Sequence, residues 1–296
     1  MIDYLKIMGI DHVDVPSYDF LRNLQKRHAE VFGWDTLDLV IGRKMGLEPE
    51  PIMRKFLIEK RGGLCFELNG AFCHLLRSLG FDVHFVLAHC LGFNERAVHY
   101  PVGTHPVGIV SMEEKKYLVD VAWAENTSRT PVPIQDGFRF SEVSGVYRLR
   151  ADASHTHQDP CSAVDNIPLR PSQQEVPINA DRFILEKFCL DEWWPQYCFS
   201  MCPYQLSDFS STLQDFYWHP AYKSYRQFCC VKNTATGYRK LKGDEFIIQD
   251  NDSFSTKKIK PAEIPVFLKE EFRMAEQFVD HFADMALREG TDIVLT

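Results

Sequence analysis

A cysteine at the start of a predicted helix is the first residue of this chain that could do chemistry. It is Cys65, within the segment KRGGLCFELNG at residues 60–70. After the glycine pair, apolar residues recur at helical spacing as far as Leu79. If the two glycines form the turn into this helix, unpaired N–H groups and the positive end of the helix dipole favour a thiolate at Cys65. The alternative is an ordinary buried thiol, since the chain has nine cysteines.

A nucleophilic cysteine needs a histidine to take its proton and a carboxylate or amide to orient that histidine. Among eleven histidines, His105 is set apart because it shares a predicted β-hairpin with Asp120, reversing near Glu113 and Glu114. A two-residue turn makes His105 and Asp120 diagonal neighbours on one face, whereas a three-residue turn puts them on opposite faces. An aspartate within the apolar run YLVDVAW is costly unless it has a partner. The alternative is an edge strand on which Asp120 faces water.

Other arrangements of reactive side chains are weaker. His155, His157, Asp159 and Cys161 are close in sequence, but this polar segment lacks the second ligand pair expected of structural zinc. No glycine-rich phosphate loop or dinucleotide fingerprint is present. We therefore predict no metal site, and cysteine-based nucleophilic catalysis is the chemistry that the residues favour.

The composition indicates an ordinary globular protein of 296 residues, with 45% hydrophobic and 25% charged residues. A net charge of −8 argues against a polyanion-binding surface, so we predict no nucleic-acid partner. No apolar run has the length of a signal peptide core or approaches the roughly 20 residues of a membrane helix. We therefore expect a cytoplasmic protein with no membrane partner.

The segment 223–242 carries six basic residues and no acidic one. It either receives a phosphate-bearing small molecule or is a solvated strand face.

The hydrophobic periodicity changes along the chain. It is helical up to about residue 79, becomes β-like from about 83 to 200 with a polar loop at 151–171, and then mixes strands with one long helix over 268–286. These patterns predict a helical N-terminal unit, a β unit and a mixed C-terminal unit. The helix and the hairpin described above must therefore bring the cysteine, the histidine and the aspartate together across two units.

Several motifs of the chain resemble those of the arylamine N-acetyltransferase family. The hallmark RGG-x-C-x-E-x-N is met as RGGLCFELN, residues 61–69, and an aspartate follows the histidine after fifteen residues, as in that family. The upstream GWDTLDLVIGR is similar to the family element VPFENLDVLLGR. The resemblance is strong over 25–135 and faint beyond, where an HP dipeptide at His219 and a G-x-R-x-L pattern from Gly237 are similar to the C-terminal part of the family.

The resemblance implies an α+β fold of three units with a cysteine-protease-like catalytic core. The units would be an N-terminal helical bundle over 1–82, a central β-barrel over 83–200 and a C-terminal α/β lid over 201–296. The helical bundle would carry the cysteine, and the barrel would carry the histidine and the aspartate.

The resemblance also implies an activity. Acetyl-CoA, as a cosubstrate, would acetylate Cys65, with His105 as general base and Asp120 orienting the histidine. The acetyl group would then pass to the nitrogen of an arylamine, arylhydrazine or similar amine by a ping-pong route. No permanently bound cofactor is expected, and the pattern does not predict an oligomeric state.

Supporting residues follow from the same resemblance. Arg61 resembles a structural arginine of the family and is expected to pair with Asp35, where the family usually has glutamate. Asn69 would support the triad. CoA would lie in the cleft toward Gly103 and Thr104, with its phosphates near the basic segment 223–242.

The chain departs from the family at two aromatic positions. Where the family commonly reads D-x-G-F-G after the triad aspartate, this chain reads DVAWA, so Trp123 replaces a phenylalanine. Trp34 replaces the phenylalanine of FENL. The resemblance implies that both tryptophans line the acceptor pocket, and the added bulk predicts an unusual acceptor preference.

Two other functions are compatible with the same residues. A Cys-His-Asp triad also serves thioesterases, amidases and amide synthases, in which water or another nucleophile discharges the acyl-enzyme. A catalytically silent CoA-binding homologue is the second alternative. Intact Cys65, His105 and Asp120 argue against it.

Overall fold

The computed structural model describes residues 2–91, 105–152 and 182–288. The proposed CoA contacts Gly103 and Thr104 lie outside these ranges, as does the considered metal cluster at 155–161. Within them the chain forms helices α1 (Ile2–Ile7), α2 (Tyr18–Val31), α3 (Leu37–Val40), α4 (Pro49–Leu57), α5 (Cys65–Ser78), α6 (Ser210–Trp218), α7 (Ile264–Glu270) and α8 (Glu276–Arg288). None of the described helices combines the length and the apolar character needed to cross a membrane.

The strands form two antiparallel sheets. The bounds are β1 (Trp34–Asp35), β2 (Asp82–Cys90), β3 (His105–Met112), β4 (Lys115–Val119), β5 (Val132–Pro133), β6 (Phe138–Glu142), β7 (Gly145–Ala151), β8 (Arg182–Cys189), β9 (Glu192–Ser200), β10 (Cys229–Asn233), β11 (Gly237–Lys242), β12 (Glu245–Asp250) and β13 (Ser253–Lys258). The larger sheet has eight strands in the order β5-β4-β3-β2-β9-β8-β7-β6, and the smaller has five in the order β1-β10-β11-β12-β13. The predicted α+β class is confirmed.

The predicted hairpin has a two-residue turn. Strands β3 and β4 pair Met112 with Lys115 and Gly108 with Val119, so Glu113 and Glu114 form the reversal. Glu113 has a φ of 54°, a left-handed conformation that matches the twist of a tight hairpin. The register that places His105 and Asp120 on one face is therefore the one that the chain adopts.

Helix α5 lies at the centre of the largest core cluster. Its predicted apolar face packs inward: Leu68 and Phe72 have no exposed surface, and α5 contacts both β2 and β3. Gly80, with a φ of 89°, follows the end of the helix, as the sequence predicts. Burial on nearly all sides fixes this helix against the sheet that carries the hairpin.

The small sheet joins distant parts of the chain. Trp34 and Asp35, from before α5, pair with Val231 and Cys230 of β10. Trp34 also forms a parallel bridge with Gly63, just before α5. The C-terminal sheet therefore reaches the segment that leads into the cysteine.

The single C-terminal helix predicted over 268–286 is wrong. The chain forms α7 and α8 with a break between them, where Arg273 has a φ of 60°. The apolar spacing continues across the break because both helices pack on the same core, which contains Leu268 and Val279. Periodicity records which face is buried and does not reveal that the backbone turns between two helices with the same buried side.

Candidate active site

The glycine pair before Cys65 allows the chain to approach β1 closely. A Cβ atom on Gly62 would lie 1.8 Å from the carbonyl oxygen of Gly33, and one on Gly63 would lie 2.2 Å from Glu67 Oε2. The backbone of Gly63 also accepts a hydrogen bond from Asp35 N at 3.1 Å. Lack of space against the backbone carbonyl of Gly33 therefore requires glycine at Gly62, while a side chain at Gly63 would displace the Glu67 carboxylate.

Cys65 is the first residue of α5 and is buried, with 7% of its surface exposed. Burial raises the pKa of its thiol well above the ordinary value, and Cys90 and Asp120 act in the same direction. The backbone N–H groups of Phe66 and Cys65 lower this pKa by hydrogen bonding to the sulfur. The helix end lowers the pKa of the thiol in the predicted sense, but burial outweighs it and the net shift is upward. A thiolate at Cys65 therefore needs a proton acceptor.

The predicted acceptor and its orienting group are in direct contact. His105 begins β3, and Asp120 follows directly after β4. His105 Nε2 lies 2.8 Å from Asp120 Oδ2, and both residues are buried, which excludes the alternative of an aspartate facing water. The other carboxylate oxygen of Asp120 accepts hydrogen bonds from Asn69 Nδ2 and Ala122 N, each at 2.9 Å. Although burial alone would raise it, the pKa of Asp120 is lowered by His105 and these hydrogen bonds.

Asn69 connects the hairpin to the helix of the cysteine. Asn69 lies one turn after Cys65 on α5. In addition to its hydrogen bond to Asp120, its Nδ2 donates to the carbonyl oxygen of Pro106 at 2.7 Å. Its Oδ1 accepts from Val121 N at 2.9 Å. The helix that carries the thiol therefore also fixes the strand ends that carry the histidine and the aspartate.

Aromatic rings surround His105. The ring centroids of Trp123 and Tyr197 lie 4.9 and 5.4 Å from that of His105. The ring of Trp34 lies 6.1 Å from that of Tyr225, and Trp34 packs against the core cluster that contains Cys65. Tyr197, on β9, did not emerge from the sequence, because only the pairing of β9 with β2 brings it to the histidine.

A buried charge cluster lies beneath the start of α5. Arg61, with a fully buried side chain, donates to Asp35 Oδ1 at 2.7 Å, as expected, and also contacts Asp38 and Glu59. Lys55 pairs with Asp38 and Glu67, and Arg43 pairs with Asp38 and Glu59. Among the described residues the cluster comprises Asp35, Asp38, Arg43, Lys55, Glu59, Arg61 and Glu67. The family resemblance implied only the pair of Arg61 with Asp35. The sequence does not show which other charged side chains turn toward the same arginine, even where they lie nearby in the chain, as Asp38 and Glu59 do.

Much of the basic segment 223–242 is occupied by contacts within the chain. Arg226 donates to the carbonyl oxygen of Phe216 at 2.9 Å, and Lys232 donates to that of Phe272 at 3.2 Å. Lys240 pairs with Glu125 at 2.5 Å. These side chains link the C-terminal region to its neighbours. The placement of the CoA phosphates near this segment stays a prediction.

Comparison with known proteins places this geometry in a family. A family model described as N-acetyltransferase matches residues 17–279. The arylamine N-acetyltransferase of Escherichia coli (strain K12) is 28% identical over 193 residues, which cover 65% of this chain and 58% of the relative. The arylamine N-acetyltransferase / N-hydroxyarylamine O-acetyltransferase of Salmonella typhimurium is 29% identical over 151 residues, 51% of this chain and 53% of the relative. The chain thus spans little more than half the length of these two relatives.

Solved structures agree on the fold. The arylamine N-acetyltransferase of M. smegmatis superposes with a TM-score of 0.79 at 20% identity, covering 99% of this chain and 98% of the other. That of Bacillus cereus, described as having a unique Cys-His-Glu catalytic triad, superposes with a TM-score of 0.75 at 20% identity, covering 91% and 96%. At these identities the likeness shows the fold, while the family model covers most of the sequence. The chain belongs to the arylamine N-acetyltransferase family.

Proposed function

We propose that this protein transfers an acetyl group from acetyl-CoA to the nitrogen of an arylamine, arylhydrazine or similar amine, through a thioester on Cys65. The observation that carries the proposal is the buried hydrogen-bonded chain from Asn69 through Asp120 to His105, anchored on the helix that begins with Cys65. These contacts support the roles of nucleophile for Cys65, base for His105 and orienting carboxylate for Asp120.

The proton positions follow from the contacts. An ionised carboxylate only accepts hydrogen bonds, so His105 donates through Nε2 to Asp120 and its Nδ1 carries the free lone pair. In the proposed mechanism Nδ1 takes the thiol proton of Cys65. Asp120 stabilises the resulting imidazolium, which offsets the cost that burial imposes on the thiolate.

Acetyl transfer then occurs in two steps. The Cys65 thiolate attacks the thioester carbonyl of acetyl-CoA, the bond from carbon to the CoA sulfur breaks, and the CoA thiolate receives the proton from His105. An amine next attacks the acetyl-Cys65 carbonyl while His105 takes a proton from its nitrogen. The bond to Cys65 breaks, and the proton held by His105 returns to the sulfur.

The contacts with the two substrates are a further part of the proposal. Gly103 and Thr104 would contact CoA, and Trp34 and Trp123 would line the acceptor pocket. Support for Trp123 comes from its ring contact with His105, and support for Trp34 from its bridge to Gly63, close to the cysteine in sequence.

Intact-protein mass spectrometry tests the thioester. We expect acetyl-CoA to add about 42 Da to the wild type and nothing to Cys65→Ser, because only the thiol forms the acyl-enzyme. A small arylamine should remove the adduct and appear as its N-acetyl product. Discharge by water at the same rate with and without amine would instead favour a thioesterase, and absence of any adduct would reject the mechanism.

Trp123→Phe should broaden acceptor use. The smaller ring leaves space beside His105, so we expect kcat/KM for bulky arylamines to rise several-fold relative to that for the smallest amine. The measurement is a panel of para-substituted anilines of increasing size, with Trp193→Phe on the outer part of β9 as the matched control. An unchanged acceptor profile would remove Trp123 from the acceptor pocket.

A further inference from the structure

Helix α5 begins without a side-chain cap of the usual kind. Its N-cap residue is Leu64, which has no polar atom to accept a hydrogen bond from the first turn. The N–H groups of Cys65 and Phe66 are therefore left for the cysteine sulfur. The capping that does occur comes from Glu67, whose Oε2 accepts from Leu64 N at 3.2 Å.

The Glu67 carboxylate creates an electrostatic conflict. It stabilises the start of the helix, but a negative charge within the first turn opposes a second one on Cys65. Glu67 is almost completely buried, so its charge also needs a partner within the protein. Among the described residues, the ion pair recorded for Glu67 is with Lys55 of α4, which is itself buried.

We propose that Lys55 is a positioning residue for the nucleophile: its ammonium holds the Glu67 carboxylate on the first turn of α5 and cancels the charge that would oppose the Cys65 thiolate. The proposal rests on the proposed role of Cys65 as the nucleophile. Lys55 also contacts Asp38, but Asp38 retains Arg61 and Arg43 as partners when Lys55 is removed. The effect of losing Lys55 therefore falls mainly on Glu67.

Other charges reach these groups and remain in every variant. Asp120 and Cys90 face Cys65 and raise the pKa of its thiol. Asp38 and Arg61 face Glu67, with opposite effects on the pKa of that carboxyl. Substitutions at Lys55 and Glu67 leave all of these groups in place. A difference in the pKa of the Cys65 thiol between variants therefore measures the effect of the Lys55–Glu67 pair.

The two members of the pair should act with opposite signs. Lys55→Met removes the cation that most lowers the pKa of the buried Glu67 carboxyl. Over the alkaline range in which the thiol titrates, this carboxyl ionises without its partner and should raise the pKa of the Cys65 thiol by about one unit, which lowers thiolate reactivity about tenfold below that pKa. Glu67→Gln removes the opposing charge and leaves Lys55 positive, so it should lower the pKa. The double variant should return close to the wild type. A purely structural role would make both single variants lose reactivity.

The measurement is the rate of iodoacetamide labelling of Cys65 across pH in the full chain. Labelling is quantified on the Cys65 peptide by mass spectrometry, because the described residues include other cysteines that are not in disulfides. Arg54→Met, an exposed neighbour of Lys55 on α4, is the matched control and should leave the titration unchanged. Lys55→Arg keeps the positive charge and should retain the wild-type titration of the Cys65 thiol.

Shifts of the same sign in the thiol pKa of the two single variants, or no shift in Glu67→Gln, would overturn the proposal. If Lys55→Met does not fold, Glu67→Gln and Lys55→Arg still decide the question.

The outcome is separable from that of the proposed function. If acetyl-CoA fails to acetylate the wild type but the thiol titrations shift with opposite signs, the pair controls Cys65 and the transferase proposal fails. If the wild type is acetylated and the titrations do not shift, Cys65 is the nucleophile and Lys55 has only a structural role.

Discussion

Asp120→Asn should lower kcat/KM for acetyl transfer by about 10³ to 10⁴-fold, the scale on which loss of the orienting carboxylate acts in related triads. In the wild type, His105 donates from Nε2 to Asp120 and keeps Nδ1 as the base. An asparagine can retain the hydrogen bonds from Asn69 and Ala122 through its oxygen, which places its NH₂ group toward His105. Nε2 must then accept, so the neutral imidazole carries its proton on Nδ1 and cannot take one from Cys65.

The measurement is single-turnover acetylation of the enzyme by acetyl-CoA, with a thermal melt on each variant. The near-isosteric change should leave the fold intact, because the hydrogen bonds to the backbone and to Asn69 persist. Asp82→Asn, at the exposed start of β2 in the same sheet, is the matched control and should acetylate at the wild-type rate. A loss below tenfold in Asp120→Asn would show that His105 does not depend on this carboxylate for its tautomer.

The hairpin could be predicted because its pattern is local, although the sequence left a two-residue and a three-residue turn open. Alternation of side chains along β3 and β4 leaves few possible registers, and the turn length decides between the two faces. The same is true of Cys65, whose place at the start of α5 follows from helical spacing within one segment. The helix also places Asn69 one turn after Cys65, although its support of the triad was implied by the family resemblance. Each of these inferences needs only residues that are close in sequence or joined by a short hairpin.

The charge cluster and the aromatic surroundings could not be predicted in this way. Lys55 and Glu67 meet because α4 packs against α5, and Tyr197 reaches His105 because β9 pairs with β2. The basic segment 223–242 shows the converse problem. Its charge is evident in the sequence, but the partners that occupy it, such as Glu125 for Lys240, lie far along the chain. Charge in one segment therefore predicts a ligand only when the partners from other segments are known.

Arg61→Met should destabilise the protein by about 3 to 5 kcal/mol at neutral pH, the usual cost of removing one partner from a buried ionic group. The guanidinium is fully buried, contacts Asp35, Asp38 and Glu59, and lies 4.3 Å from the centre of the Phe278 ring. Methionine fills part of the volume but leaves these carboxylates with fewer cations. The measurement is the free energy of unfolding in urea at pH 7. Arg43→Met, whose side chain is 30% exposed, is the control and should lose about 1 kcal/mol or less.

The loss of stability caused by Arg61→Met should become smaller as the pH falls. Although burial alone would raise it, Arg61 and Lys55 hold the pKa of Asp38 at about 2, below its ordinary value of 3.8, so the stability from this carboxylate is present above pH 3.8 and lost as pH falls through about 2. Burial already raises the pKa of Asp35 despite Arg61, so without the arginine this carboxyl should protonate more readily and recover stability on acidification. Both effects reduce the difference in the free energy of unfolding between Arg61→Met and the wild type as the pH falls from 7 toward 3. A gap that stays constant over this range, or one no larger than that of Arg43→Met, would show that Arg61 acts through packing against Phe278 and not through the carboxylates.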